Sequence, residues 1–160
     1  MHDIRPARAE EVALLPELEA ASDSLFLSLG VGPLPPPGTV EQLHDALVVL
    51  VAGAPPVGFV RVDALSGGAH LEQLAVHPDH GRQGIGRALV RAACRWAAAA
   101  GYPDITLITY GDVPWNGPFY ASEGFVACGP ADRWLMARGR PAEEPVMGRF
   151  GPRVLMRRPL

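Results

Sequence analysis

Between Leu71 and Leu89 the chain reads LEQLAVHPDHGRQGIGRAL, an alternating strand that runs into a glycine-bearing turn and then directly into an amphipathic helix. That order of elements builds an anion cradle. Amides in the first turn of a helix lack intrahelical acceptors, so they converge on a negative group, and Gly84 and Gly86 let that group approach the backbone. The ligand class this implies is a phosphate-bearing small molecule. Arg82 and Arg87 are placed to reach its phosphates, although Arg87 shares a helical stripe with Arg91 and Arg95 and reads equally well as solvated. On the strand before the turn, side chains that alternate every two residues put His70 and Glu72 on one face with Leu74 and Val76. A carboxylate or imidazole there can take a proton from an incoming nucleophile, directly or through water. Glu72 is the favoured base and His70 the second choice, with substrate contact or an ordinary polar strand position as the plainer readings.

Other chemistries are disfavoured by the same residues. Leu89 stands where a dinucleotide-binding fingerprint needs its third glycine, and no Gly-Lys-Ser/Thr follows the turn. His77-Pro78-Asp79-His80 lacks a third and fourth ligand at useful spacing, so it reads as a surface turn and no metal site is expected. Cys94 and Cys128 have no paired spacing, which disfavours a disulfide framework, and no G-x-S-x-G elbow is present. A net charge of −3 argues against a nucleic-acid surface. The longest apolar run, ALVVLVA at Ala46 to Ala52, is too short to cross a bilayer, and the His2-Asp3 start is unlike a secretory signal, so no membrane association and a cytoplasmic location are expected. All 14 Lys+Arg residues are arginine, leaving no lysine for self-modification.

The elements that must position these groups follow from periodicity. The 160 residues, 48% of them hydrophobic, suit one domain, residues 1–160, with a substantial core. Ile4 to Arg8 reads as an edge strand, about Ala9 to Ala21 as a helix, and the proline-rich Leu25 to Gly38 as a structured loop that could line a pocket. Thr39 caps a short helix through Ala46. Ala46 to Ala52, Val57 to Leu65 and Ala69 to Val76 then read as three antiparallel strands, with Ser66-Gly67-Gly68 as one turn. Ile85 to Ala100 is a helix ended by Gly101, and Ile105 to Thr109 a strand; a helix between two strands implies a parallel pair. A helix from about Trp115 to Ser122, Gly124 as its cap, and a strand Phe125 to Cys128 follow. A helix near Asp132 to Arg138 and a closing strand Arg153 to Arg157 complete an α+β fold on one mixed sheet.

The strand, V-H-P-D-H, Gly-x-x-Gly-x-Gly and Ala-Leu, together with the later N-G-P-F-Y-A-S-E-G-F, resemble the GNAT superfamily of acyl-CoA-dependent N-acyltransferases over about Ala46 to Cys128. The leading Gln/Arg of the family signature is held here by Gly81, with Arg82 one place later. The resemblance implies a GNAT-like mixed sheet with a splayed parallel pair, and an acetyl-CoA co-substrate whose pyrophosphate rests on the amides of Arg82, Gln83, Gly84, Ile85, Gly86 and Arg87. It implies that main-chain groups of Leu74 and Val76, with Ala75 between them, hold the pantetheine arm and polarise the thioester. Tyr120 matches the position from which relatives protonate the departing thiolate, since a phenol with a pKa of about 10 keeps its proton at neutral pH; a packed aromatic is the plainer reading. Asn116 is a candidate cofactor contact or, equally, a helix cap. The function implied is direct acetyl transfer to a small-molecule or peptide amine, the alternative being a non-catalytic acyl-CoA-binding module. In such proteins the loop near Leu25 to Gly38 and the tail after Gly129 set the acceptor. That loop and edge strands near the C-terminus leave a homodimer open.

Overall fold

The computed structural model describes residues 3–27, 37–110, 116–138 and 153–160. Among these, seven strands form one sheet: β1 (Ile4–Pro6), β2 (Val48–Ala52), β3 (Gly58–Leu65), β4 (Gly68–Val76), β5 (Asp104–Tyr110), β6 (Val126–Pro130) and β7 (Arg153–Pro159), in the spatial order β1-β2-β3-β4-β5-β7-β6. Neighbours are antiparallel except β4 and β5. Six helices among the described residues flank the sheet: α1 (Ala9–Val12), α2 (Leu15–Leu27), α3 (Val40–Asp45), α4 (Ile85–Ala99), α5 (Gly117–Ser122) and α6 (Ala131–Met136).

Alternation along the strands feeds two cores. On one face Leu50, Val60, Val62, Ala69, Leu71, Ile105 and Leu107 pack with Ile85, Leu89, Val90 and Ala93 of α4 and with Tyr120 of α5. On the other, Val49, Val51, Phe59 and Ala75 pack with Val12, Leu15, Leu18 and Leu43 of α1 to α3. Thr39 caps α3 as expected, its hydroxyl accepting from the Gln42 amide at 3.1 Å.

Three expectations are corrected. The single helix from Ala9 to Ala21 is two, because Pro16 lacks an amide hydrogen and its ring clashes with a preceding turn, so it fits only the first turn of a new helix. The second helix reaches Leu27, taking in the start of the expected loop; residues 28–36 and Trp115 lie outside the described residues. The closing strand is interior rather than an edge: β7 lies between β5 and β6, and β6 forms the edge with Val126 exposed.

The largest correction concerns β4. Val62 pairs with Leu71 and Arg61 with Gln73, which leaves Glu72 as an extra residue in a β-bulge. One added residue reverses the alternation. Ala69 and Leu71 before it, and Leu74 and Val76 after it, all turn toward α4, while His70 and Glu72 lie on the opposite face. The expectation that His70 and Glu72 share a face with Leu74 and Val76 is therefore wrong.

The seat of α4 depends on Gly58. A Cβ there would meet the Ala75 carbonyl oxygen at 3.1 Å, Ile85 Cγ2 at 3.2 Å and Leu89 Cδ1 at 3.2 Å. Gly58→Ala is expected to lower unfolding free energy by about 1 to 3 kcal/mol in urea titrations, with α4 pushed off the sheet; an unchanged midpoint would show that the helix is not seated through this contact.

Candidate active site

β4 and β5 pair through Ala69↔Ile105, His70↔Thr106 and Leu71↔Leu107, and then part. Beyond Leu71, β4 stays paired to β3 as far as Val76↔Gly58, so one edge of this stretch is satisfied and the edge toward β5 is open. β5 is held along its other edge by β7 from Asp104 to Tyr110.

At the mouth of this gap the chain turns from β4 into α4. His77 starts a single exposed 3₁₀ turn, Pro78–His80, its Nδ1 accepting from the Asp79 amide at 3.1 Å. Arg82 has φ +59 and Gly84, the N-cap, φ +78. A Cβ at Gly84 would meet nothing within 4 Å, so glycine there answers the left-handed backbone and leaves space above the helix start. Ile85 is buried and fixes the first turn of α4 in the core, while its amide and those of Gly86 and Arg87 have no intrahelical acceptors. A Cβ on Gly86 would touch Val76 at 3.8 Å, Leu74 at 3.9 Å and Phe119 at 4.0 Å, so β4, α4 and α5 meet under the cradle.

A cleft of about 400 Å³ runs from Gly84 along α4, lined by Asp3, Ile4, Arg87, Ala88, Arg91 and Arg95. Arg87 Nε lies 3.0 Å from Glu123 Oε2 and Arg91 Nε 2.7 Å from Glu123 Oε1, with the carboxylate buried and both arginines half-exposed. This ion pair fastens α4 to the end of α5, a role for Glu123 that the sequence reading missed. Arg82 is exposed at the turn.

Tyr120 lies on α5 with its ring edge-on between Phe119 and Phe125, centroids 5.1 and 5.9 Å away. It is buried at 7% exposure, and desolvation pushes its phenol well above the ordinary range. Asn116 sits at the N-cap of α5 without capping it; its Oδ1 accepts from Thr109 Oγ1 at 2.9 Å, and its Nδ2 is buried with no partner. The capping alternative is thus corrected.

On the opposite face of β4, His70 is buried and Glu72 is partly open. Facing them are groups that the sequence reading did not assign to the site. Glu19 of α2 is buried and accepts from the Gly38 amide at 3.2 Å; burial pushes its carboxyl up to about 7, helped by Asp23 and Glu72 and opposed by Gly38 and Arg61. Burial likewise raises Asp23 to about 6. Arg61 is clamped by Asp63 through Nε–Oδ1 at 2.9 Å and Nη2–Oδ2 at 2.6 Å. Trp134 of α6 stacks on His70 at 5.4 Å, with the Arg138 guanidinium 4.0 Å from its indole centroid. The signal for Glu19 was its place in the apolar stripe of its helix; Trp134 fell in a segment without periodicity.

A family model described as an acetyltransferase (GNAT) domain matches residues 44–127. Among solved structures, the Escherichia coli ribosomal-protein-S18-alanine N-acetyltransferase superposes with a TM-score of 0.71 at 17% identity, covering 99% of this chain and 94% of that one. The Thermoplasma acidophilum PaiA N-acetyltransferase, in complex with coenzyme A, gives 0.69 at 17% identity over 100% and 99% of the two chains. A GCN5-related N-acetyltransferase from Rhodopseudomonas palustris gives 0.70 at 22% identity over 100% and 96%. At these identities the likeness is one of fold.

Glu19 makes a stability prediction. A carboxyl raised from 4.5 to about 7 binds its proton more tightly in the folded state, so its contribution is present below pH 4.5 and lost as pH rises through 7. Glu11, held down at about 2 by Arg5, acts only on the acid side. Urea denaturation between pH 5 and 8 should show wild type losing on the order of 2 kcal/mol relative to Glu19→Gln. Parallel curves for the two proteins would place Glu19 in water.

Proposed function

Since the chain belongs to the GNAT acetyltransferase family, we propose that it transfers an acetyl group from acetyl-CoA to an amine acceptor by direct attack, with both substrates bound together. The observation that carries this reading is the parting of β4 from β5 beside the start of α4, which sets an open strand edge next to unpaired helix amides. Acetyl-CoA fits these features in its chemistry: a pyrophosphate matches the amides from Arg82 to Arg87, and an amide-bearing pantetheine arm matches the free edge at Leu74, Ala75 and Val76. When bound it supplies an activated acetyl thioester. The buried, unpartnered Nδ2 of Asn116 is a spare donor that supports a cofactor contact on the α5 side.

The residues divide the proton work. An amine arrives largely as ammonium and must lose a proton before it can attack. Glu72 is the better base, because the bulge brings it out of the ladder and leaves it partly open, whereas His70 is buried against Trp134. The carboxylates of Glu19 and Asp23 on the same face favour a cationic guest. On the α4 side, Tyr120 keeps its proton across the working pH range because its site is dry, and it donates that proton to the departing thiol sulfur. Arg82 and Arg87 add positive charge for the phosphates, Arg87 sharing its guanidinium with Glu123. The acceptor is a small-molecule or peptide amine.

The test is thiol release from acetyl-CoA across a panel of small amines, peptides and aminoglycosides. Tyr120→Phe and Glu72→Gln should each lower kcat by about 10²-fold or more, while acetyl-CoA still raises the melting temperature of both variants. Full activity in Tyr120→Phe would leave that ring a packing residue. A melting shift with no acetylated product from any amine would instead favour the non-catalytic acyl-CoA-binding module.

A further inference from the structure

His70 is held from both ends. Its Nδ1 lies 2.8 Å from Thr106 Oγ1, its Nε2 lies 3.6 Å from Glu72 Oε2, and its ring face rests on Trp134. His70 and Thr106 are also register partners in the parallel pairing of β4 with β5, one pair before the strands part, so the pairing itself brings the ring and the hydroxyl together. We propose that Thr106 is a positioning residue whose hydroxyl sets the tautomer of His70, so that an Nε2–H faces Glu72 and holds that carboxylate in place. The inference rests on the reading of Glu72 as base.

The argument is one of donors and acceptors. A neutral imidazole has one nitrogen of each kind. A lone pair on Nε2 facing the carboxylate would repel it, whereas an N–H there attracts it; 3.6 Å is too long for a hydrogen bond but close enough for the dipole to orient the charge. With Nε2 carrying the hydrogen, Nδ1 must accept, and Thr106 is positioned to donate to it. The competing acceptor for that hydroxyl, the Ala69 carbonyl, is at 3.5 Å, far weaker than the 2.8 Å contact. Arg61, held by Asp63, lies on the same face and interacts through its charge with Glu72 and Glu19, so His70 is not the only group acting on that carboxylate.

Long-range ¹H–¹⁵N spectra of the full chain, with the His70 ring assigned by loss of its signals in His70→Gln, read the tautomer directly and need no substrate. Wild type should give a neutral Nε2–H ring, Thr106→Val a mixture with Nδ1–H, and Thr106→Ser the wild-type pattern. In the thiol-release assay Thr106→Val should lose about tenfold in kcat with KM for acetyl-CoA unchanged, and Thr106→Ser should recover it. An Nδ1–H ring or an imidazolium in wild type overturns the proposal, as does a Thr106→Val spectrum identical to wild type. If the tautomers behave as expected while Glu72→Gln keeps full kcat, the base assignment fails and the catalytic part of the inference with it, separately from the tautomer.

Discussion

β4 and β5 are hydrogen-bonded neighbours over three residue pairs, and the chemistry of the site follows from where that pairing ends. A backbone amide or carbonyl without a partner is costly when it is shielded from water, so an open strand edge inside a fold invites something to pair with it. The strands that flank the gap are anchored on their far edges. β4 is committed to β3 as far as Val76, β5 is committed to β7 along seven residues, and α4 is wedged onto the sheet at Gly58. The wedge is thus a property of the whole sheet, and the cradle at Gly84 sits at its mouth because α4 is the crossover that joins the two parting strands.

The bulge at Glu72 divides the labour between faces. Before and after it, apolar residues turn toward α4; at it, polar residues turn toward α2 and α6. The start of α4 and Tyr120 therefore lie on one side of the sheet, and the carboxylates and His70 on the other, with the gap between β4 and β5 beside both. A donor molecule with phosphates and an acceptor with a positive charge would approach from different sides, which keeps their unlike electrostatic requirements from interfering. Burial, with smaller contributions from the charges of Asp23 and Glu72, raises Glu19, and burial alone raises Asp23, so a cationic guest on this face would meet acids that gain by its approach.

Much of this was legible in the chain because its signals are local. Thr39 as a cap, Gly101 and Gly124 as left-handed helix ends, the antiparallel run β2 to β4 and the parallel partner after α4 each depend on a few adjacent residues and on period. Period is also why the faces of His70 and Glu72 were misread. A bulge inserts one residue without changing composition, so nothing between Ala69 and Val76 marks it, and every position beyond it inverts. The insertion of β7 between β5 and β6 is equally silent, because strand order is decided by long-range pairing rather than by the strands themselves. Trp134 and Thr106 entered the site through such pairings: Thr106 is an ordinary strand threonine until its register partner is known to be His70.

Tyr120 illustrates how packing and chemistry can demand the same residue. Its ring fills the junction between Phe119 and Phe125, a place any large aromatic could occupy, and Phe119 in turn touches Gly86 under the cradle. Burial that raises the phenol above its usual range keeps it in the protonated form across neutral pH, the form the proposed donor role needs. The hydrophobic contacts therefore do two things at once. They fix the ring relative to the start of α4, and they keep its proton in place, as the proposed role of donor to a departing sulfur requires.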